Sequence, residues 1–189
     1  RGVPMWREIT GAVLGICVAI YTGCLLGVCK TFPLWNNALL PVLFLVSAVS
    51  TGMASVLLGG VFRHPEEFNR VGVFKKFHFC FPIIELFLVA SLLFITVTNS
   101  EAGFNSVMAL VAGKYAIVFW VLFIIVGLVA PTALETWLLF FSPREFEESR
   151  KAHMISAFSD VGVLVGGFVL RLLVLIAALP ITLVSPWVL

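Results

Sequence analysis

The chain has 189 residues, 61 % of them hydrophobic and only 12 % charged, with a formal net charge of +2. Soluble domains carry about 25 % charged residues, and the mean hydropathy here is +1.11. The composition excludes a soluble enzyme, a disordered tail and a DNA-binding module, and points to an integral membrane protein. Spanning helices need ~20 residues each, so the length accommodates five or six of them. The apolar runs lack the polar–apolar alternation of a transmembrane barrel, which is excluded as well.

Five runs stand out in chain order, at about residues 9–29, 37–62, 77–98, 114–141 and 156–184. Lys30 and Phe32-Pro33-Leu34 close the first, Ser142-Pro143 the fourth and Ser185-Pro186 the fifth. Lipid offers the backbone no hydrogen-bond partner, so each run must be helical. The fold expected is all-α: a polytopic bundle of five spanning helices forming one transmembrane domain over residues 1–189. Pro131 lies deep in the fourth run and is expected to kink it. The mixed-charge stretch 142–153 reads as a solvated turn. The chain opens on Arg1 rather than Met and shows no signal peptide, and it reads as a fragment or a processed chain.

Orientation follows from the loop cations. Arg1, Arg7, Arg63, Arg70, Lys75, Lys76, Arg144, Arg150 and Lys151 fall on one side, against Lys30 and Lys114 on the other. The N-terminus is therefore expected in the cytoplasm. Trp6, Trp35, Trp120, Trp137 and Trp187 sit mostly near the expected interfaces. Gly11/Gly15, Gly23/Gly27 and Gly162/Gly166/Gly167 have the spacing that lets helices approach closely. Cys17, Cys24, Cys29 and Cys80 form no CxxC pair, so no cysteine-held zinc or iron–sulfur site is encoded and no metal is expected in the chain. The cysteines read as small apolar packing residues.

Ionisable groups inside a spanning helix are costly and mark functional candidates. There are four clear cases: Glu85, Glu135, Asp160 and Arg171. At 1.5 Å per residue, Glu85 lies ~12 Å, Glu135 ~9 Å and Asp160 ~6 Å from the cytoplasmic side, with Arg171 ~22 Å in. Two readings stand side by side: a staged proton path from the cytoplasm, or ion pairing that fixes helix register. Tyr21, ~18 Å into the first helix, could donate a hydrogen bond to a quinone carbonyl or simply to a neighbouring helix. Asn36 and Asn37 read as helix caps. His78 and His153 share the cytoplasmic margin with His64, which is too shallow for a bis-histidine haem, and no haem is expected. No Walker, GxSxG or HExxH motif occurs.

The block Tyr21-Thr-Gly-Cys-Leu-Leu-Gly, the block beginning Phe32-Pro-Leu-Trp-Asn-Asn-Ala-Leu-Leu-Pro, and Gly166-Gly-Phe-Val-Leu-Arg171 resemble the NrfD/PsrC family, the membrane subunits of polysulfide reductase and its relatives. The resemblance runs over nearly the whole chain. It implies a larger subunit of about eight to ten helices, of which this is the C-terminal five-helix portion; the implication is by analogy of fold. It also implies exchange of electrons between menaquinone or ubiquinone and an extracytoplasmic, ferredoxin-like iron–sulfur subunit, without haem. A molybdopterin or multihaem catalytic subunit would stand beyond that partner, in a bacterial inner membrane. Tyr21 matches the tyrosine beside the quinone headgroup. Glu85, Glu135, Asp160 and Arg171 would serve proton movement where a relative translocates protons. A purely structural anchor and an ion-coupled transporter remain the competing readings.

Overall fold

A computed structural model describes residues 4–63, 72–141 and 150–181. The described residues are predominantly helical, with no strand among them. The elements are α1 (Met5–Gly27), α2 (Leu39–Arg63), α3 (Gly72–Asn99), α4 (Glu101–Val111), α5 (residues 118–141) and α6 (Arg150–Ile176). All but α4 are long and apolar enough to cross a membrane, so this is a multi-pass membrane protein with five spans among the described residues.

The sequence expectation differs from this architecture at three places. First, α4 is a helix where the hydropathy pattern predicts a loop. Ser100 caps it, its hydroxyl accepting the Gly103 N–H at 3.1 Å. Its 11 residues are too few to span, so it lies at the membrane margin between the ends of α3 and α5. Second, the last helix runs Arg150–Ile176 rather than 156–184. The proline ring of Pro180 disfavours helical geometry before it, and the chain turns back so that the Ile181 N–H donates to the Thr31 carbonyl at 2.8 Å. The early start also makes residues 150–153 helical, where the charge pattern predicts a turn; residues 142–149, His64 and Trp187 lie outside the described residues. Third, all four cysteines are exposed on the bundle surface rather than packed in it.

α5 changes its winding along its length. It is π-helical over Val118–Val129, α-helical over Ala130–Thr136 and π-helical again over Trp137–Phe141. Pro131 stands at the join between the first two segments, where its missing N–H falls in the first turn of the α-helical stretch.

α6 is the central helix: half of its membrane-crossing window is buried, against 6 % for α1, which packs on α2 at the edge of the bundle. Glycines set how closely the helices meet. A Cβ on Gly166 would come within 2.5 Å of the Gly127 Cα, and one on Gly162 within 2.8 Å of the Val126 carbonyl oxygen, so α5 and α6 touch backbone to backbone. Gly23 of α1 lies as tightly against Pro41 of α2, whereas nothing lies within 4 Å of the place a side chain would take at Gly11 or Gly15. Toward the α4 end the core is mainly apolar, built from Leu34, Leu43, Leu92, Phe119, Phe123 and Leu173 among others, with Thr96 and Ser106 buried beside them. Trp35 locks that end, its indole N–H donating to the Val174 carbonyl at 2.7 Å. Asn37 caps α2 as expected, its Oδ1 accepting the Leu39 N–H at 3.0 Å.

Candidate functional site

Below the apolar core, three helices turn polar faces toward one another. On α2 the residues are Ser47, Ser50 and Thr51, spaced by three and four. On α3 they are His78 and Glu85, spaced by seven. On α6 they are Asp160, Gly167 and Arg171, spaced by seven and eleven. Each spacing repeats one face of a 3.6-residue helix, so each helix carries a polar stripe inside an otherwise apolar sequence. Ser47, Ser50, His78 and Asp160 have no exposed surface, and Glu85 has 3 %.

The stripe holds two clusters. The first joins His78 of α3, Glu135 of α5 and Asp160 of α6. His78 Nδ1 and Glu135 Oε1 are 2.9 Å apart. One potential ligand atom from each of the three residues lies within 4.8 Å of the others. The Ser159 hydroxyl stands 3.3 Å from Glu135 Oε1 and equally far from the Pro131 carbonyl oxygen. The backbone carbonyl of Ser50 faces the imidazole from α2. His78 Nε2 and Glu135 Oε2 have no hydrogen-bond partner. The cluster sits at the membrane margin, since His78 is the second residue of its spanning window (Phe77–Asn99) and Glu135 the last but one of its own (Val118–Thr136).

The second cluster lies deeper, about 10 Å along α3 from His78. Glu85 faces Ser47 of α2 and the guanidinium of Arg171. Arg171 folds back along α6, its Nη1 donating to the Gly167 carbonyl at 2.8 Å, with the guanidinium carbon 5.8 Å from the centre of the Phe44 ring. Gly167 makes this possible, because a Cβ there would clash with the Thr51 methyl and press within 3.3 Å of both Arg171 Nη1 and Ser47 Oγ. Glu85 is near enough for its charge to act on the Arg171 guanidinium, although the two form no direct ion pair.

The structure thus brings all four intramembrane ionisable residues to one interface but divides them into two levels. Asp160 and Arg171 are not partners of each other: the separation of eleven residues puts them at different depths, as the sequence indicates. Tyr21 is elsewhere. It lies on α1 with 62 % of its surface exposed. Among the described residues, one open cleft of about 520 Å³ lies beside Ser100, Asn105 and Pro180 and another of about 280 Å³ lies between α3 and α5 beside Pro82, Leu86 and Thr132, and Tyr21 lines neither of these.

Sequence reasoning misses His78 and the serines of α2. From the sequence His78 is weighed only as a haem ligand, though its seven-residue offset from Glu85 puts the two on one helical face. The serines and Thr51 have the same three- and four-residue signature, weak by itself because a hydroxyl can return its hydrogen bond to its own helix, as Thr51 does to the Ser47 carbonyl at 2.8 Å.

Comparison with known proteins agrees with the resemblance read from the motifs. The family model described as "Polysulphide reductase, NrfD" matches residues 3–182. The C subunit of polysulfide reductase from Wolinella succinogenes is 33 % identical over 174 residues, which cover 90 % of this chain and 52 % of that protein. Protein NrfD of Escherichia coli is 32 % identical over 132 residues, 67 % of this chain and 41 % of that one. A protein NrfD homolog of Haemophilus influenzae is 28 % identical over 180 residues, with coverages of 90 % and 51 %. The chain spans about half the length of the curated relatives it matches. No solved structure gives a significant match. With its five spans, its polar stripe and a family match from residue 3 to residue 182, the chain belongs to the NrfD family of polysulphide reductase membrane subunits.

Proposed function

We propose that this chain is the membrane anchor of a respiratory oxidoreductase, lying in a bacterial cytoplasmic membrane with its N-terminus inside. In this reading it exchanges electrons between menaquinone or ubiquinone and an iron–sulfur subunit, which passes them on to a molybdopterin or multihaem catalytic subunit. The observation that carries the reading is the family match over residues 3–182. The names of the relatives, a polysulfide reductase subunit among them, support the oxidoreductase setting.

Protons must accompany electrons at a quinone. The cluster of His78, Glu135 and Asp160 at the membrane margin, with Glu85 and Arg171 one level deeper, forms a row of polar groups in the right place to handle them. The buried hydroxyls of Ser47 and Ser50 line the interval between the two levels. The mainly apolar core beyond Arg171 would oppose the passage of protons at this interface, so in this reading entry is from the margin that holds His78.

Tyr21 is proposed as a hydrogen-bond donor to the quinone carbonyl. The test is Tyr21→Phe in the intact complex. Loss of one hydrogen bond should lower quinol-linked turnover about two- to tenfold while the complex still assembles. Unchanged turnover with normal assembly would remove Tyr21 from the site. The exposure of Tyr21 favours a second reading, in which this chain is a structural platform and takes no part in quinone chemistry. That reading requires quinol-linked turnover to be indifferent to Glu85→Gln as well.

A further inference from the structure

We propose that Arg171 holds a carbonyl oxygen of a quinone on the open flank of α2 and α6, apart from the side that Tyr21 faces. The inference rests on the quinone reading above and adds a second position for the headgroup. It starts from the hydrogen-bond donors of Arg171. A guanidinium carries five N–H donors and no acceptor. Nη1 donates to the Gly167 carbonyl, and no acceptor among the described residues meets Nη2 or Nε. Glu85 acts on the charge from α3 without a direct ion pair. Neither of the two free nitrogens is sealed in the interior, and Arg171 as a whole is half-buried.

The free side of Arg171 opens toward hydrocarbon. Phe168 and Leu175, three residues before it and four after, share its flank of α6, and both are exposed. Arg171 stands five residues before the end of α6 at Ile176, ~7.5 Å below it. Its side chain folds inward to Gly167, away from the surface where lipid phosphates lie. The Phe44 ring, centred 5.8 Å from the guanidinium carbon, holds the fork in place from α2. Donors left without an acceptor at this depth are costly. The acceptor is then supplied by a molecule that lives in hydrocarbon and carries oxygen there. A quinone does so with its two uncharged carbonyls on an apolar ring and tail.

The place is closed at its outer end. The Trp35 indole N–H donates to the Val174 carbonyl, three residues beyond Arg171, and the Thr31 carbonyl accepts from Ile181. The loop after α1 is thereby bound over the last turn of α6 and separates Arg171 from the aqueous side. A hydrogen bond to the guanidinium is stronger in such a low-dielectric setting. Tyr21 lies at nearly the same depth, ~9 Å below the end of α1, but on another flank. Gly23 faces α2 against Pro41, and Tyr21, two residues earlier, is turned ~160° from that contact. The two donors therefore open in different directions and serve two headgroup positions.

The experiment exposes the intact complex in mild detergent to a photoreactive azido-quinone and maps the labelled peptides by mass spectrometry. The expected result is label around Phe44 of α2 and beside Arg171 of α6, suppressed by excess unlabelled quinone and not by excess anionic phospholipid. Arg171→Met should raise the quinone concentration that halves this labelling about tenfold or more. Glu101→Gln, exposed and far along the chain from this flank, should leave it unchanged. Should Arg171→Met fail to assemble, Arg171→Lys keeps the charge but loses the planar fork, and should shift the same concentration in the same direction. Suppression by phospholipid as effective as by quinone, or labelling indifferent to Arg171, would overturn the site. Quinone-protected label confined to α1 beside Tyr21 would overturn it while the quinone reading stands. No quinone-protected label anywhere would overturn both.

Discussion

Gly127 and Gly166 meet so closely that a Cβ on either would fall 2.5 Å from the Cα of the other. This contact holds α5 against α6 at a level between Asp160 and Arg171. It is what allows Glu135 and Asp160, carried by those two helices, to share one cluster.

Gly166→Val should therefore push the two helices apart. Overpacking of this kind costs ~1–3 kcal/mol, read as a lowered melting temperature in detergent. Gly11→Val is the contrast, since nothing lies within 4 Å of that position, and it should leave the melting temperature unchanged. Equal effects at the two positions would mean that the α5–α6 contact is not a tight one.

Arg171 and Glu85 offer a test of mutual compensation. Arg171→Met leaves the Glu85 carboxylate buried beside Ser47 without its cation. The two are not in direct contact and Arg171 is only half-buried, so the cost should fall below the ~3–5 kcal/mol of a broken buried pair. Glu85→Gln combined with Arg171→Met should recover most of the loss. A double variant no more stable than Arg171→Met alone would show that the two charges act independently.

Trp35 ties the loop after α1 to the end of α6. Trp35→Phe keeps the ring against Phe32 but removes the donor to the Val174 carbonyl, leaving that oxygen unpaired. The expected cost is ~1 kcal/mol, with faster hydrogen exchange in the last turn of α6. A variant with unaltered exchange would mean that this end is held by apolar contacts alone.

The orientation can be read from the native cysteines. Cys29, exposed and at the end of α1 beside Lys30, should react with a membrane-impermeant maleimide from outside intact cells or spheroplasts. Cys17, in the middle of the same helix, should not react from either side. Labelling of Cys29 only in inverted vesicles would reverse the proposed topology.

Much of this fold is legible in the sequence because one physical constraint dominates. Lipid forces each long apolar run into a helix, so the number and approximate limits of the spans follow from hydropathy alone. The ends are less legible. The last apolar run continues past Ile176, yet Pro180 and the hydrogen bond from Ile181 to Thr31 stop the helix; hydropathy registers neither. The short helix at Glu101–Val111 depends on the Ser100 cap, a single hydroxyl within a stretch that otherwise resembles a loop. In the candidate site, Glu85, Glu135, Asp160 and Arg171 announce themselves by the expense of burying them in lipid. Which of them meet does not follow, since that depends on helix rotation and on where glycines permit contact. His78 is hidden by its position at the margin, where a histidine is inexpensive.

The winding of α5 carries one more implication, for insertions and deletions. A π-helical turn behaves as an α-helical turn with one residue added. Between Val118 and Val129 the chain therefore holds slack that an ordinary helix lacks. Removing one residue there could be absorbed by tightening to α-helical winding, leaving Glu135 still turned toward His78. The same deletion within Ala130–Thr136 has no slack to draw on, and would swing Glu135 by ~100° around the helix axis and away from its partners. Deletion tolerance along this one helix should thus change abruptly at Pro131.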